Sequence, residues 1–73
     1  MAQEIVEVPI TGKVTSVEAK VGDTVEEGGV ICFIESMKME NPILAPVAGK
    51  ITEIQVSAGQ MVETGNLIAI IEY

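Results

Sequence analysis

The chain has 73 residues, 48% of them hydrophobic and almost none aromatic, so we predict one small domain over residues 1–73 with an aliphatic core. Four lysines against eleven carboxylates give a net charge of −7, which argues against nucleic-acid binding because phosphate contacts require a basic face. With no histidine and one cysteine, Cys32, the sequence excludes an internal disulfide and an ordinary zinc site, and it offers no evident catalytic residues.

Eight short strands are predicted, because apolar runs rich in Val and Ile alternate with glycine-containing turns. In chain order they cover residues 4–8, 13–20, 24–25, 30–35, 39–44, 50–56, 61–62 and 67–72. No stretch shows helical periodicity, so the chain is predicted to be all-β. No segment combines basic residues with a long apolar stretch, so neither a signal peptide nor a membrane span is predicted. The unpaired cysteine is compatible with a cytoplasmic location, which we expect.

The two halves of the chain repeat one another at an offset of 37 residues. Residues 9–36 align with residues 46–73 without a gap, with 11 identities in 28 positions. The identical pairs are Pro9/Pro46, Gly12/Gly49, Lys13/Lys50, Thr15/Thr52, Gly22/Gly59, Val25/Val62, Glu26/Glu63, Gly28/Gly65, Ile31/Ile68, Ile34/Ile71 and Glu35/Glu72. Cys32 aligns with Ala69 inside an apolar run, so we expect it to be buried and structural.

Both copies also break the strand pattern at the same place. Apolar residues fall at Val14 and Val17 in one copy and at Ile51 and Ile54 in the other, a spacing that strict alternation does not allow. A β-bulge is therefore predicted in each copy. Two copies with one pattern indicate a pseudo-twofold flattened β-barrel or sandwich of two four-stranded antiparallel sheets, a barrel-sandwich hybrid. The same symmetry predicts that the termini lie close together, at the end of the molecule opposite the junction between the copies.

That junction places Lys38 between two methionines, in the segment Glu35-Ser36-Met37-Lys38-Met39-Glu40. The segment joins two predicted strands, so we expect a tight hairpin with Lys38 at its tip. Methionine is flexible and polarizable and suits adaptable contact surfaces. From composition alone, an ordinary solvated lysine with methionines packed down onto the hairpin is the more common arrangement.

The junction segment resembles the biotin attachment signature of the biotinyl/lipoyl carrier family, in which Met-Lys-Met at a hairpin carries the modified lysine. Ala45-Pro46-Val47-Ala48-Gly49 is similar to the family's Ala-Pro-x-x-Gly, and Val21-Gly22-Asp23 with Val25 and Gly28 is similar to its Gly-Asp-x-Val-x-x-Gly turn. The resemblance covers nearly the whole chain. It implies a pseudo-twofold β-sandwich of eight strands, here without the protruding thumb of some bacterial carriers.

The resemblance implies that Lys38, and no other lysine, carries covalent biotin. The biotin would shuttle a carboxyl group between the biotin carboxylase and the carboxyltransferase of a biotin-dependent carboxylase or decarboxylase. Met37 and Met39 would help a biotin protein ligase and these partner enzymes to recognise the hairpin. Glu35 stands where the family often has Glu, and an ordinary charge at a strand end is the other interpretation. The chain itself would be a non-catalytic carrier, free-standing or excised from a larger protein.

Two alternatives stay open. The first is a lipoyl carrier of a 2-oxo acid dehydrogenase-type system, or an acceptor of either group, because Ser36 stands where biotin carriers more often have Ala and lipoyl domains have Ser or Thr. Against it, lipoyl domains usually have Asp before the lysine and Ala after it, where this chain has Met37 and Met39. The second is an unmodified barrel-sandwich module, as in membrane-fusion adaptor proteins, which usually inserts a helical hairpin between the halves.

Overall fold

The computed structural model describes all 73 residues and contains eight β-strands and no helix, as predicted. The strands are β1 (Gln3–Glu7), β2 (Gly12–Val17), β3 (Thr24–Val25), β4 (Val30–Ser36), β5 (Met39–Leu44), β6 (Gly49–Ile54), β7 (Met61–Val62) and β8 (Leu67–Glu72).

The strands β2 and β6 are shorter than the sequence pattern predicts, ending at Val17 and Ile54 rather than at residues 20 and 56. Beyond Val17, the amides of Glu18 and Ala19 both donate to the carbonyl of Ile31, at 2.8 and 3.2 Å. Two successive residues thus share one partner, and the regular ladder stops there. The apolar spacing that extended the prediction reflects packing onto the core rather than continued strand pairing.

The strands form two four-stranded antiparallel sheets, which confirms the predicted architecture. The first sheet has the order β1-β8-β6-β3, and the second has the order β5-β4-β2-β7. The short strands β3 and β7 each pair with the sheet that contains the long strands of the other copy. Because of this crossover, neither half completes a sheet alone, and the two copies form one structure.

The core between the sheets is built almost wholly from Ile, Val and Ala side chains, and no polar or charged residue is buried. Cys32 is among the core residues, which confirms the prediction, and burial raises the pKa of its thiol from the ordinary 9.0 to about 11. Aliphatic burial is the main source of stability in a chain that has neither a disulfide nor a metal site to restrain it.

The repeat seen in the sequence is reproduced in the backbone. The pairing registers of β2 with β4 and of β6 with β8 shift between Val14 and Ser16 and between Ile51 and Glu53, so both predicted bulges are confirmed. The turn glycines of the two copies also match. Gly22 and Gly59 have φ angles of 98° and 90°, in the left-handed region that favours glycine.

Gly12 and Gly49 begin β2 and β6, and both are required by close packing. A Cβ atom at Gly12 would overlap the carbonyl oxygen of Glu35, and one at Gly49 would overlap that of Glu72. The same two atoms would lie 2.9 and 2.7 Å from the Cγ2 atoms of Ile34 and Ile71, respectively. Only glycine lets the neighbouring strand approach this closely in each copy.

The two ends of the molecule are related by the repeat. At the terminal end, Ala2 and Tyr73 exchange two backbone hydrogen bonds of 2.9 Å, in the position that Ser36 and Met39 occupy at the hairpin end. Residues 8–11 lead from the first sheet to the start of β2, and the Thr11 and Thr64 hydroxyls lie 3.3 Å apart. The Leu67 end of β8 is thus beside the hairpin end, and its other end, with both termini, is remote from Lys38, as predicted.

Candidate functional site

The hairpin between β4 and β5 has a loop of only two residues, Met37 and Lys38. Ser36 pairs with Met39 across it, and the ladder continues through Glu35 and Glu40. Met37 has a φ of 55° and Lys38 a φ of 66°. Two consecutive positive φ angles are the signature of a type I′ turn, the loop that best matches strand twist. The predicted tight hairpin is therefore confirmed.

The turn is occupied by residues that do not favour its conformation. Type I′ turns strongly prefer Asn-Gly or similar pairs, because a left-handed conformation costs other residues about 1–2 kcal/mol each. Met37 and Lys38 are the only non-glycine residues with positive φ in the structure. Backbone strain of this kind tends to be kept where function requires particular side chains.

The side chains of the tip project into solvent. Lys38 is exposed, and Met37 and Met39 are 90% and 67% exposed. The methionines do not pack down onto the hairpin, which was the arrangement expected from composition alone. The structure instead presents a lysine flanked by two accessible thioether chains.

Side-chain hydrogen bonds secure the edge strand β5 just behind the turn. The amide nitrogen Nδ2 of Asn41 donates to the Met39 carbonyl at 3.2 Å and to the Ile34 carbonyl at 3.4 Å. The hydroxyl of Thr15 donates to Oε2 of Glu40 at 2.9 Å. These bonds fix the base of the hairpin while its tip stays accessible.

A shallow groove of about 450 Å³ lies beside the hairpin and is the only cavity in the structure. We call it the hairpin groove, and its lining residues are Thr11, Gly12, Lys13, Glu35, Ser36, Met37, Lys38 and Met61. Lys13 is central, because it pairs with Glu35 of β4 on one side and with Met61 of β7 on the other. Met61 is 68% exposed.

The structure brings the sequence-predicted residues together around one feature. Met37, Lys38 and Met39 form the tip, and Glu35 lies on the adjoining strand and lines the groove. Sequence reasoning missed Thr11 and Met61 as neighbours of Lys38. A signal was present, because these residues depart from their repeat mates Ala48 and Thr24.

Two further site types were sought across the whole molecule. No group of three or more His, Cys, Asp or Glu side chains converges in a way that would hold a metal ion. No helix of sufficient length and apolarity to span a membrane is present either. The hairpin and its groove are therefore the features on which a function can be argued.

Comparison with protein families gives a match over residues 4–71 to a family described as "Biotin-requiring enzyme". Among curated proteins, the gamma subunit of glutaconyl-CoA decarboxylase from Acidaminococcus fermentans is 49% identical over 39 residues, which are 53% of this chain and 27% of that protein. The mitochondrial propionyl-CoA carboxylase alpha chain of Homo sapiens is 51% identical over 37 residues, 51% of this chain and 5% of that protein.

Solved structures show the same likeness over nearly the full chain. The urea carboxylase of Kluyveromyces lactis superposes with a TM-score of 0.90 at 38% identity, covering 99% of this chain and 6% of that protein. A single-chain, multi-domain long-chain acyl-CoA carboxylase superposes with a TM-score of 0.86 at 28% identity, covering 93% and 7%. The chain thus corresponds to a small part of each of these larger proteins.

Proposed function

This chain belongs to the family described as "Biotin-requiring enzyme", and on that premise we propose that it is a biotin carboxyl carrier with biotin attached to Lys38. The observation that carries the proposal is the position of Lys38 at the tip of a two-residue hairpin, exposed and between two exposed methionines. An amide bond at its Nζ would neutralise one cation and change the net charge from −7 to −8.

The other lysines are poorly placed for the same modification. Lys13 lies in β2 between β4 and β7, and Lys50 lies in β6 between β8 and β3. A ligase must surround its target amine, and strands on both sides obstruct that approach. Lys20 adjoins a turn in which its own backbone amide donates to the Asp23 carboxylate at 3.1 Å. Lys38 alone stands on a protruding tip.

The protein contributes a tether and a rigid support rather than a reaction centre. When attached, biotin supplies a ureido nitrogen that can accept and release a carboxyl group. The lysine side chain holds that group at a high effective concentration near whichever partner site the domain engages. The hairpin ladder and the Asn41 and Thr15 hydrogen bonds keep the base of the tether in a fixed direction.

The proposed partners are a biotin protein ligase, a biotin carboxylase and a carboxyltransferase. Met37 and Met39 would form the contact surface that these enzymes share, and Glu35 would add a charge at its edge. The names of the similar proteins include both acyl-CoA and urea carboxylases, so the carboxyl acceptor is expected to be chosen by the carboxyltransferase. We propose that the protein acts in the cytoplasm, whose reducing conditions suit a single unpaired cysteine.

The test is co-expression with a biotin protein ligase, followed by intact-mass measurement and peptide mapping. We expect one biotin per chain, located on Lys38, and none on the Lys38→Arg variant. The variants Lys13→Arg, Lys20→Arg and Lys50→Arg serve as matched controls and should be modified like the wild type. Biotin on another lysine with Lys38 bare would refute the site. Stoichiometric lipoate on Lys38, in cells that supply both cofactors, would make the chain a lipoyl carrier instead.

A further inference from the structure

The repeat provides an internal control for the hairpin groove. Lys13, between Glu35 and Met61, has an equivalent in Lys50, between Glu72 and Thr24. The framework is therefore present twice, yet a cavity forms only at the hairpin end. The lining residues that differ between the ends are listed as hairpin/terminal pairs: Thr11/Ala48, Ser36/Tyr73 and Met61/Thr24.

We propose that the hairpin groove is a docking site for the biotinyl group carried by Lys38, with Met61 as its apolar wall. This inference rests on the proposed function and adds residues outside the attachment segment to it. Lys38 itself lines the groove, so the attached group begins at the cavity that would receive it. No movement of the backbone is required to bring the two together.

The chemistry of the lining suits this occupant. Met37 and Met61 offer flexible thioether chains to the aliphatic and sulfur-containing part of the group. The ureido ring has one carbonyl acceptor and two N–H donors, and the groove offers the Lys13 ammonium as a donor and the Glu35 carboxylate as an acceptor. These two residues are cross-strand neighbours, so both face the same part of the groove. Its volume of about 450 Å³ is within the usual range for small-molecule sites.

The docking must be weak, and the geometry is consistent with that. The groove is shallow, and Met61 stays 68% exposed in it. A tethered group needs little intrinsic affinity to occupy an adjacent site, because its effective concentration is high. A carrier also has to release its group to each partner enzyme, so a tight pocket would oppose function. The other possible occupant, a side chain of a partner enzyme, would leave the groove empty in the isolated carrier.

The experiment uses NMR on the purified chain with labelled methionine methyl groups and backbone amides. Three forms are compared: unmodified, acetylated at Lys38, and biotinylated at Lys38. Acetylation removes the charge without adding the ring, so it isolates the effect of docking. We expect the Met61 methyl and the Thr11 and Lys13 amides to shift more in the biotinylated than in the acetylated form, with contacts between ring protons and the Met61 methyl. The Met1 methyl, at the terminal end, should not change.

Two variants make the assignment specific. Met61→Thr installs the residue found at the repeat mate, and its biotinylated form should lose the additional shifts at Thr11 and Lys13. Thr24→Met, at the terminal end, should retain them. Equal shifts in the acetylated and biotinylated wild type, or shifts that persist in Met61→Thr, would overturn the docking proposal. If mass measurement shows no biotin on Lys38 at all, the proposed function fails, and that outcome is distinct from a biotinylated chain whose groove does not respond.

Discussion

The hairpin end and the terminal end of this molecule share one backbone framework and differ in what they display. Each has a glycine that admits the neighbouring strand, Gly12 or Gly49, and a lysine paired with a glutamate across that strand. The hairpin end adds a strained two-residue loop, exposed methionines and a groove. The terminal end has only the pairing of Ala2 with Tyr73.

This difference separates the residues that build the fold from those that we assign to function. Positions retained in both copies lie in the core, in turns or at close strand contacts, where the backbone dictates the residue. Positions that depart from the repeat near Lys38, above all Met61, have no equivalent structural requirement. In a duplicated fold, the asymmetry between copies is therefore a guide to the working surface.

The largest stability effect is expected at the shared glycines. Gly12→Ala and Gly49→Ala should each cost about 3 kcal/mol, because the added Cβ forces a backbone carbonyl and an Ile side chain to move. Urea unfolding should give similar losses for both. Only Gly12→Ala should also slow biotinylation, because it displaces Glu35 at the base of the hairpin. Unequal unfolding losses would mean that the ends are not equivalent scaffolds, and circular dichroism must first show that both variants fold.

A second comparison uses Cys32 and its mate Ala69. Since burial raises the pKa of Cys32 to about 11, its contribution is complete below pH 9 and is lost as pH rises towards 11, because the unfolded thiol ionises first. At pH 10.5 the wild type should lose about 2 kcal/mol more than Cys32→Ala does, relative to pH 7. Lysines and Tyr73 titrate in both proteins, so the difference between their urea midpoints is the measurement. Parallel pH profiles would contradict the burial of the thiol.

The strained turn allows a third test, with an opposite sign. Met37→Asn should raise the free energy of unfolding by about 1 kcal/mol, because Asn tolerates the left-handed conformation that Met37 adopts. Met39→Asn is the matched control and should give no gain, since Met39 begins the regular strand β5. Under the proposed function, Met37→Asn should also slow modification by the ligase. A more stable variant that is biotinylated at the wild-type rate would show that Met37 is not kept for recognition.

The smallest effect is expected from the threonines Thr15 and Thr52. The Thr15 hydroxyl lies 3.4 Å from the Phe33 carbonyl and 2.9 Å from the Glu40 carboxylate, whereas Thr52 has only the 3.3 Å contact with the Ile70 carbonyl. Thr15→Val should therefore be more destabilising than Thr52→Val by about 0.5–1 kcal/mol. Thermal unfolding of the two variants measures the difference. If the two are equal, the Glu40 contact adds nothing to the hairpin base.

Most of the fold was predictable because it is written twice. The matched glycines, the shared break at Val14 and Ile51, and the short apolar runs gave the eight strands, both bulges and the two antiparallel sheets. Strand ends were less predictable. The apolar residues beyond Val17 still pack on the core, so hydrophobic pattern alone could not show that the ladder stops there.

The candidate site was predictable only in part. The lysine and its flanking methionines form one continuous segment, so a local pattern was enough to identify them. Met61 reaches the groove because β7 pairs with β2 of the other copy, a long-range contact that no local pattern encodes. The left-handed turn was also hidden, because Met37 and Lys38 lack the Asn or Gly by which such turns are usually identified.

The pairing of Ala2 with Tyr73 has a consequence for how such a unit can be installed in a longer polypeptide. Since the incoming and outgoing segments leave side by side and away from Lys38, the fold can be spliced into a surface loop of a host protein like a plug with both wires at its base. The same closure makes the backbone nearly a ring, so the chain could be reopened at another loop with its strand order in space intact. In either format, the lysine would remain at the free end.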